Sequence, residues 1–207
     1  MCTETQYREH IQTSTCKPAM LFPEPIIVLD TETTGTSNRA EIIELGAVCL
    51  NEYGQEVSSF STLIQPNDMG PHIDKALAVN NIRRADLMQA QPWHTVGPYF
   101  VQWVNSIPVP SGSPINIAFN APFDKRMLEN HGIFLRWGQC AKQRSYQIMK
   151  ANHAAPRNKN GGLKQPNLAE ACNYFDVPLP DNAHRALDDA RATAHLVCAI
   201  HRAALET

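Results

Sequence analysis

Apolar runs separated by turn-forming residues organise the first part of the chain. Residues 26–29 form a continuous apolar run after two prolines, which predicts a central strand covered on both faces, with a turn at residues 31–35. Residues 42–50 and 60–64 show further strand patterns, and residues 51–54 between them are turn-forming. Three strands joined by such short links predict an antiparallel meander.

The rest of the chain is mainly helical in pattern. Pro71, Pro92 and Pro98 are expected to divide residues 71–106 into short helices, because proline interrupts the hydrogen bonds of a helix. The other predicted elements, in chain order, are a buried strand at 115–119, a helix from Pro122 to Gly132, a weak strand at 133–137, a helix opening at Pro166 and a final helix over 184–204.

Length and composition predict one domain. The chain has 207 residues, of which 43% are hydrophobic and 18% charged, and this suits a single sizeable core. We assign residues 25–207 to the domain and the polar residues 1–24 to a flexible tail. The sequence shows no secretion signal and no apolar run of membrane-spanning length. Six scattered cysteines without a C-x-x-C pair indicate reduced thiols, so we expect a cytoplasmic protein.

Charge is uneven along the chain. The formal net charge of -2 does not by itself indicate a nucleic-acid partner, but residues 130–169 contain no acidic residue. Their basic side chains form either a phosphate-binding surface or an ordinary solvated one, and both interpretations stay open. The candidate phosphate contacts are Lys142, Arg144, Lys150, Arg157, Lys159 and Lys164.

Two carboxylates follow the first predicted strand. Asp30 and Glu32 are two residues apart, so strand geometry places both side chains on one face. Their charges repel each other, and a bound cation would relieve the repulsion. A solvated strand end is the alternative, but these residues follow a buried strand, and the carboxyl edge of a sheet is where a functional site usually lies.

The last helix presents two acids to different surroundings. Asp188 shares a polar face with Arg191, which predicts a solvated surface charge. Asp189 shares a small, apolar face with Ala190 and Thr193, which predicts an inward-facing carboxylate. Such a carboxylate destabilises the fold unless it is compensated, and a metal shared with other carboxylates would compensate it.

Two further candidates also have a capping explanation. Asp124 lies in the first turn of its predicted helix, where acids are favoured by the helix dipole. His184 lies at or just before the start of the last helix. An imidazole, with an intrinsic pKa of roughly 6.5, also suits a general base that takes a proton from water.

Three motifs together resemble the DEDDh (DnaQ-like) 3′→5′ exonucleases. They are residues 30–35 (Asp-Thr-Glu-Thr-Thr-Gly), residues 120–124 (Asn-Ala-Pro-Phe-Asp) and residues 184–189, with residues 44–48 on the second strand. The family includes the proofreading subunit of bacterial DNA polymerase III, exonuclease X, ribonuclease T and the TREX enzymes. The resemblance implies an α/β, RNase H-like fold, in which a mixed five-stranded sheet carries helices on both faces.

The resemblance also implies a catalytic arrangement. Asp30, Glu32, Asp124 and Asp189 would hold two divalent ions, Mg²⁺ or Mn²⁺, and His184 would act as the base. Residues around the first two motifs would contact the substrate: Thr31, Thr33, Thr34, Gly35, Thr36, Phe119, Asn120 and Phe123. Many relatives carry histidine at the position of Phe119, so this departure bears on substrate specificity.

The expected function is metal-dependent removal of nucleotides from the 3′ end of DNA. The same chemistry on RNA or short oligonucleotides is the nearest alternative, because no residue reads the 2′-hydroxyl unambiguously. An inactive nuclease fold that binds nucleic acid or a polymerase is the alternative from another class. It would require a lost ligand, and all five acid and base positions are intact. A homodimer and a polymerase partner stay open.

Overall fold

A mixed sheet forms the centre of the protein, whose computed structural model describes residues 19–179 and 184–205. Within these ranges the strands are β1 (Ile26–Thr33), β2 (Ile42–Leu50), β3 (Glu56–Gln65), β4 (Gln91–Pro92) and β5 (Ile115–Ile117). Their order is β4-β3-β2-β1-β5. The β1–β2 and β2–β3 pairs are antiparallel, whereas β5 and β4 join in parallel. The predicted meander and five-stranded mixed sheet are confirmed.

Helices cover both faces of this sheet, as predicted. In the described ranges they are α1 (Asp74–Val79), α2 (Arg84–Gln89), α3 (Trp93–Asn105), α4 (Ala121–Asn130), α5 (Ala141–Ala151), α6 (Leu168–Tyr174) and α7 (Ala186–Leu205). On β1, Ile27 and Leu29 pack in one core with α3 and α4. Ile26 and Val28 point to the other face and pack with α5, α6 and α7. β1 and β2 are therefore buried between two hydrophobic cores, one on each face of the sheet.

The first turn of α7 lies directly on β2. A β-carbon added to Gly46 would overlap the backbone of Ala186 and Leu187. Only a residue without a side chain lets the helix approach the strand this closely. The contact fixes where α7 begins relative to β1, because Gly46 pairs with Asp30 across the sheet.

Several strand predictions were too short or wrong. β1 continues to Thr33 instead of turning at Thr31, because residues 31–33 still pair with β2. β3 begins at Glu56 rather than at Phe60, and its polar, exposed first residues hid the strand pattern. The predicted weak strand at 133–137 is wrong, since within the described residues that segment makes only an isolated bridge between Trp137 and Asn116.

The helix predictions also need correction. Pro98 lies inside α3 instead of ending a helix. The residue before it is Gly97, which has no β-carbon to clash with the proline ring. The last helix begins at Ala186, two residues after His184. α5 was not predicted, because it buries only Ala141, Ser145 and Met149 and gives a weak apolar pattern.

Parts of two other predictions lie outside the described residues. These are residues 1–18 of the predicted tail, and residues 180–183 and 206–207 of the predicted domain. None of the described helices combines the length and apolar character that crossing a membrane requires.

Candidate active site

The end of β1 places two carboxylates on one face of the sheet. Asp30 and Glu32 alternate with Thr31 and pair with Gly46 and Glu44 of β2. Both carboxylates are partly buried, whereas Thr31 is buried and points to the opposite face. The strand geometry predicted from the two-residue spacing is therefore present.

Asp124 binds β1 rather than only capping its own helix. It is the fourth residue of α4, and its side chain is 2% exposed. Its Oδ1 accepts hydrogen bonds from the backbone N–H of Thr31 at 3.1 Å and from the Thr31 hydroxyl at 2.8 Å. The N-cap residue of α4 is Asn120, whose side chain makes no capping hydrogen bond. The carboxylate is thus held against the strand that carries Asp30 and Glu32.

α7 brings Asp189 and His184 to the same edge of the sheet. The Asp189 Oδ2 accepts a hydrogen bond from the backbone N–H of His184 at 3.3 Å. His184 is exposed, and its φ of 65° lies in the left-handed region. One ligand atom from each of Glu32, His184 and Asp189 lies within 4.8 Å of the other two. The structure therefore joins two of the sequence motifs into one cluster.

The predicted contrast between Asp188 and Asp189 is only partly present. Both side chains are half-buried, so the prediction that Asp188 is a solvated surface charge is wrong. Asp188 interacts electrostatically with Arg185 and Arg191, whereas Asp189 faces Glu32. The two acids differ in the charge of their neighbours more than in exposure.

A fifth carboxylate borders the site and was not recognised from the sequence. Glu44 is 2% exposed and lies opposite Glu32 across the β1–β2 pair. Arg185 of the last motif forms an ion pair with it, at 2.8 Å between Nη2 and Oε1. Glu44 belongs to the segment that supported the family resemblance, but its cross-strand partner becomes visible only once the strand register is known.

The carboxylates stand close enough to disturb one another. Burial and the charge of Asp124 raise the pKa of Asp30 well above its ordinary value. Burial and the charge of Asp189 raise the pKa of Glu32 to about 8. Burial raises the pKa of Asp124 to about 7, although the hydrogen bonds from Thr31 lower it. The pKa of Asp189 is also raised by burial. At neutral pH the cluster therefore resists ionisation unless positive charge is supplied.

These residues fit a divalent cation. Carboxylate oxygens are the ligands that Mg²⁺ and Mn²⁺ prefer, and here they come from three separate elements. A cation would compensate the repulsion that raises the pKa values. The donor set contains no cysteine, which argues against a structural zinc site at this position.

The predicted substrate contacts have different environments. The hydroxyls of the buried or half-buried threonines are already engaged: Thr31 with Asp124, Thr33 with the carbonyl of Gly35, and Thr34 with the amide of Glu41. Phe119 is buried in the core with α7. Thr36 and Asn120 are exposed, and Gly35 and Phe123 are half-buried. Side chains available to a ligand are thus fewer than the motifs alone indicate.

Arg126 borders this region and was missed by the sequence analysis. It donates hydrogen bonds to the side chain of Asn38 at 3.2 Å and to the carbonyl of Thr36 at 3.1 Å. Its guanidinium lies 5.3 Å from the centre of the Phe123 ring. Arg126 therefore connects α4 with the loop that follows β1.

The six basic candidates have different surroundings in the structure. The backbone N–H of Lys142 bonds to the Phe119 carbonyl at 2.9 Å, next to the second motif. Burial and the nearby charge of Arg144 lower the pKa of His201, so Arg144 lies by the far part of α7. His201 is roughly 18 Å along the helix from Asp189, at 1.5 Å per residue.

The remaining basic candidates lie around the segment between α5 and α6. Lys164 forms an ion pair with Glu170 at 2.7 Å. Arg157 donates to the Gly161 carbonyl at 2.7 Å and is exposed, as are Lys150 and Lys159. A common phosphate-binding role for all six therefore stays a prediction.

Comparison with known proteins identifies similar sequences and structures. Residues 27–197 match the family model described as Exonuclease (RNase_T). The chain is 31% identical over 179 residues to a PolC-type DNA polymerase III of Clostridium perfringens. This match covers 85% of the chain but only 11% of the polymerase, so the chain spans about a tenth of that relative.

Solved structures of nucleases share its fold, among them the following two. Exonuclease X in complex with 5′-overhanging duplex DNA is similar with a TM-score of 0.61 and 24% identity, over 88% of this chain and 93% of that one. The nuclease domain of 3′hExo, a DEDDh family member bound to rAMP, gives a TM-score of 0.66 at 17% identity, over 88% and 92%. At these identities the similarity concerns the fold.

Proposed function

Because the chain belongs to the exonuclease family, we propose that it removes nucleotides from the 3′ end of DNA by metal-dependent hydrolysis of the phosphodiester bond. The match confirms the family that three sequence motifs had indicated. One observation carries the proposal: four acids from β1, α4 and α7 converge, and the pKa of each is raised. Clustering four acids in this way destabilises the fold, and bound cations would compensate their charges.

The proposed roles follow from position. Asp30, Glu32, Asp124 and Asp189 hold two divalent ions, Mg²⁺ or Mn²⁺. Bound divalent ions lower the pKa of water and offset charge on the phosphoryl group and on the leaving 3′ oxygen. His184 takes the proton of the attacking water. Its imidazole is exposed and lies close to the carboxylates of Glu32 and Asp189. Thr31 keeps the Asp124 carboxylate in place through two hydrogen bonds.

We propose DNA as the substrate because the curated relative is a DNA polymerase and exonuclease X is bound to DNA. RNA is the second candidate, favoured by a neighbour bound to rAMP.

The polymerase relative also supports a polymerase as a partner. A homodimer is a separate hypothesis, which sedimentation of the purified protein would test. The four free cysteines described fit a cytoplasmic location.

Substrate and polarity can be tested in one experiment. The protein is incubated with 5′-labelled single-stranded DNA, duplex DNA or RNA, with Mg²⁺ or Mn²⁺ and with EDTA. We expect a ladder of shortened labelled products on DNA that EDTA abolishes. Immediate release of a labelled mononucleotide would indicate the opposite polarity, and activity that survives EDTA would refute the metal-dependent mechanism.

Adjacent residues on α7 provide the matched control. Asp189→Asn should reduce hydrolysis to background because it removes a proposed metal ligand. Asp188→Asn changes the same charge one residue earlier and should keep most activity. An active Asp189→Asn protein together with an inactive Asp188→Asn protein would show that the wrong acid has been assigned to the site.

A further inference from the structure

Glu44 places another carboxylate beside the proposed cation site. It pairs directly with Glu32 in the antiparallel β1–β2 ladder. Directly opposed residues project to the same face, with β-carbons about 5 Å apart. Glu44 could therefore approach a cation as closely as Glu32 does. The contacts of Glu44 determine whether it becomes a ligand.

Arg185 and Ala186 occupy both oxygens of Glu44. The Arg185 Nε lies 3.1 Å from Oε1 and 3.1 Å from Oε2, and its Nη2 lies 2.8 Å from Oε1. The backbone N–H of Ala186 donates to Oε2 at 3.1 Å. Because Glu44 is 2% exposed, turning it toward a cation would leave these donors unpaired beside a buried charge.

We propose that Arg185 withholds Glu44 from the cation site and uses it to anchor the start of α7, so that the pair positions His184 and Asp189. This inference rests on the proposed function. Arg185 directly follows His184, and the helix that contains Asp189 begins at the next residue. The ion pair therefore fixes the chain between the proposed base and the proposed ligand against β2.

A second ion pair on α7 shows what a purely structural connection looks like. Arg191 binds Glu56 of β3 through two hydrogen bonds of 3.0 Å and 2.8 Å. It joins the same helix to the same sheet with similar geometry, but both partners are partly exposed, whereas Glu44 is buried. Any effect of Arg185 that Arg191 does not share is specific to the site.

Substitution of the pair tests the proposal. Arg185→Gln releases Glu44 as an additional anionic ligand, so Mn²⁺ should bind more tightly while kcat falls about 10- to 100-fold with little change in KM. The double variant Glu44→Gln/Arg185→Gln replaces one neutral pair by another. Its Mn²⁺ affinity should return to within about threefold of wild type, and its kcat should recover above that of Arg185→Gln. Arg191→Gln should leave both quantities unchanged.

The measurements are Mn²⁺ titration calorimetry without nucleic acid, steady-state kinetics and thermal melts in EDTA. Weaker Mn²⁺ binding by the double variant than by wild type would make Glu44 a ligand and overturn the proposal. A double variant as slow as Arg185→Gln, or an equal loss in Arg191→Gln, would also overturn it. If Arg185→Gln does not fold, Glu44→Met/Arg185→Met carries the same test of Mn²⁺ affinity. Calorimetry measures Mn²⁺ binding without nucleic acid, so it tests this inference even if the wild-type protein degrades no nucleic acid. That outcome would refute only the proposed function.

Discussion

Gly46 of β2 and Leu187 of α7 lie so close that a β-carbon on Gly46 would overlap the Leu187 backbone. Gly46 also pairs with Asp30, so the same residue determines how near α7 comes to the β1 carboxylates. The distance between Asp30 and Asp189 therefore depends on the absence of a side chain.

Gly46→Ala should reduce both activity and stability. The helix must move by about 1 Å, and such displacements reduce rates roughly 100-fold when catalytic groups are misplaced. Overpacking of this kind destabilises by about 1 to 3 kcal/mol. Steady-state kinetics and thermal melts measure both effects. Gly35→Ala meets open space and should melt like wild type. A Gly46→Ala protein with normal kcat would mean that the contact does not determine site geometry.

Stability of the cation-free protein should fall as pH rises. The pKa of Glu32 is raised to about 8 and that of Asp124 to about 7. Unfolded acids titrate near 4, so between about pH 4 and pH 8 the folded state holds protons that the unfolded state has released. The melting temperature in EDTA should therefore drop by more than about 4 °C from pH 5 to pH 8.5.

Two controls accompany this pH series. Mn²⁺ should raise the melting temperature more at pH 8.5 than at pH 5, because the ionised acids bind it. Glu32→Gln should flatten the decrease in EDTA while abolishing hydrolysis. A melting temperature that stays constant with pH in EDTA would contradict the proposed electrostatic cause.

His184→Asn should lower kcat while metal and nucleic-acid binding persist. Loss of a general base reduces rates about 10² to 10⁴-fold, and asparagine tolerates the left-handed backbone at this position. A near-normal kcat with a lowered melting temperature would instead show that His184 only stabilises the start of α7.

Salt dependence distinguishes the basic candidates. Lys142→Gln should weaken binding of single-stranded DNA and reduce the slope of log K against log salt by about 0.7, the contribution of one phosphate contact. Arg144→Gln removes the same charge beside His201 and should leave the slope unchanged. Equal slopes for Lys142→Gln and wild type would show that Lys142 makes no phosphate contact.

The sequence predicted those parts of the fold and site that depend on local spacing. The position of β2 was obtained from its apolar run, and the common face of Asp30 and Glu32 from strand periodicity. The role of Asp124 was ambiguous, because acids early in a helix are favoured without any tertiary partner. Only its contact with Thr31, 93 residues away in the chain, shows that the side chain is held against β1.

What the sequence missed depends on register and packing. Glu44 and Arg185 are 141 residues apart, and no pattern within either segment indicates that they meet. Arg126 likewise contacts a separate loop, the one that contains Thr36. α5 was missed because a helix that buries few apolar residues has almost no periodic signal.

The backbone of His184 has a consequence for how such a chain evolves. At a φ of 65° a β-carbon is a disadvantage of about 1 kcal/mol, and glycine would relieve it. The backbone at this position would therefore favour glycine, whereas selection for the proposed chemistry would retain histidine. A library screened for heat resistance without regard to hydrolysis should enrich His184→Gly, whereas a screen for growth that requires the nuclease should remove it.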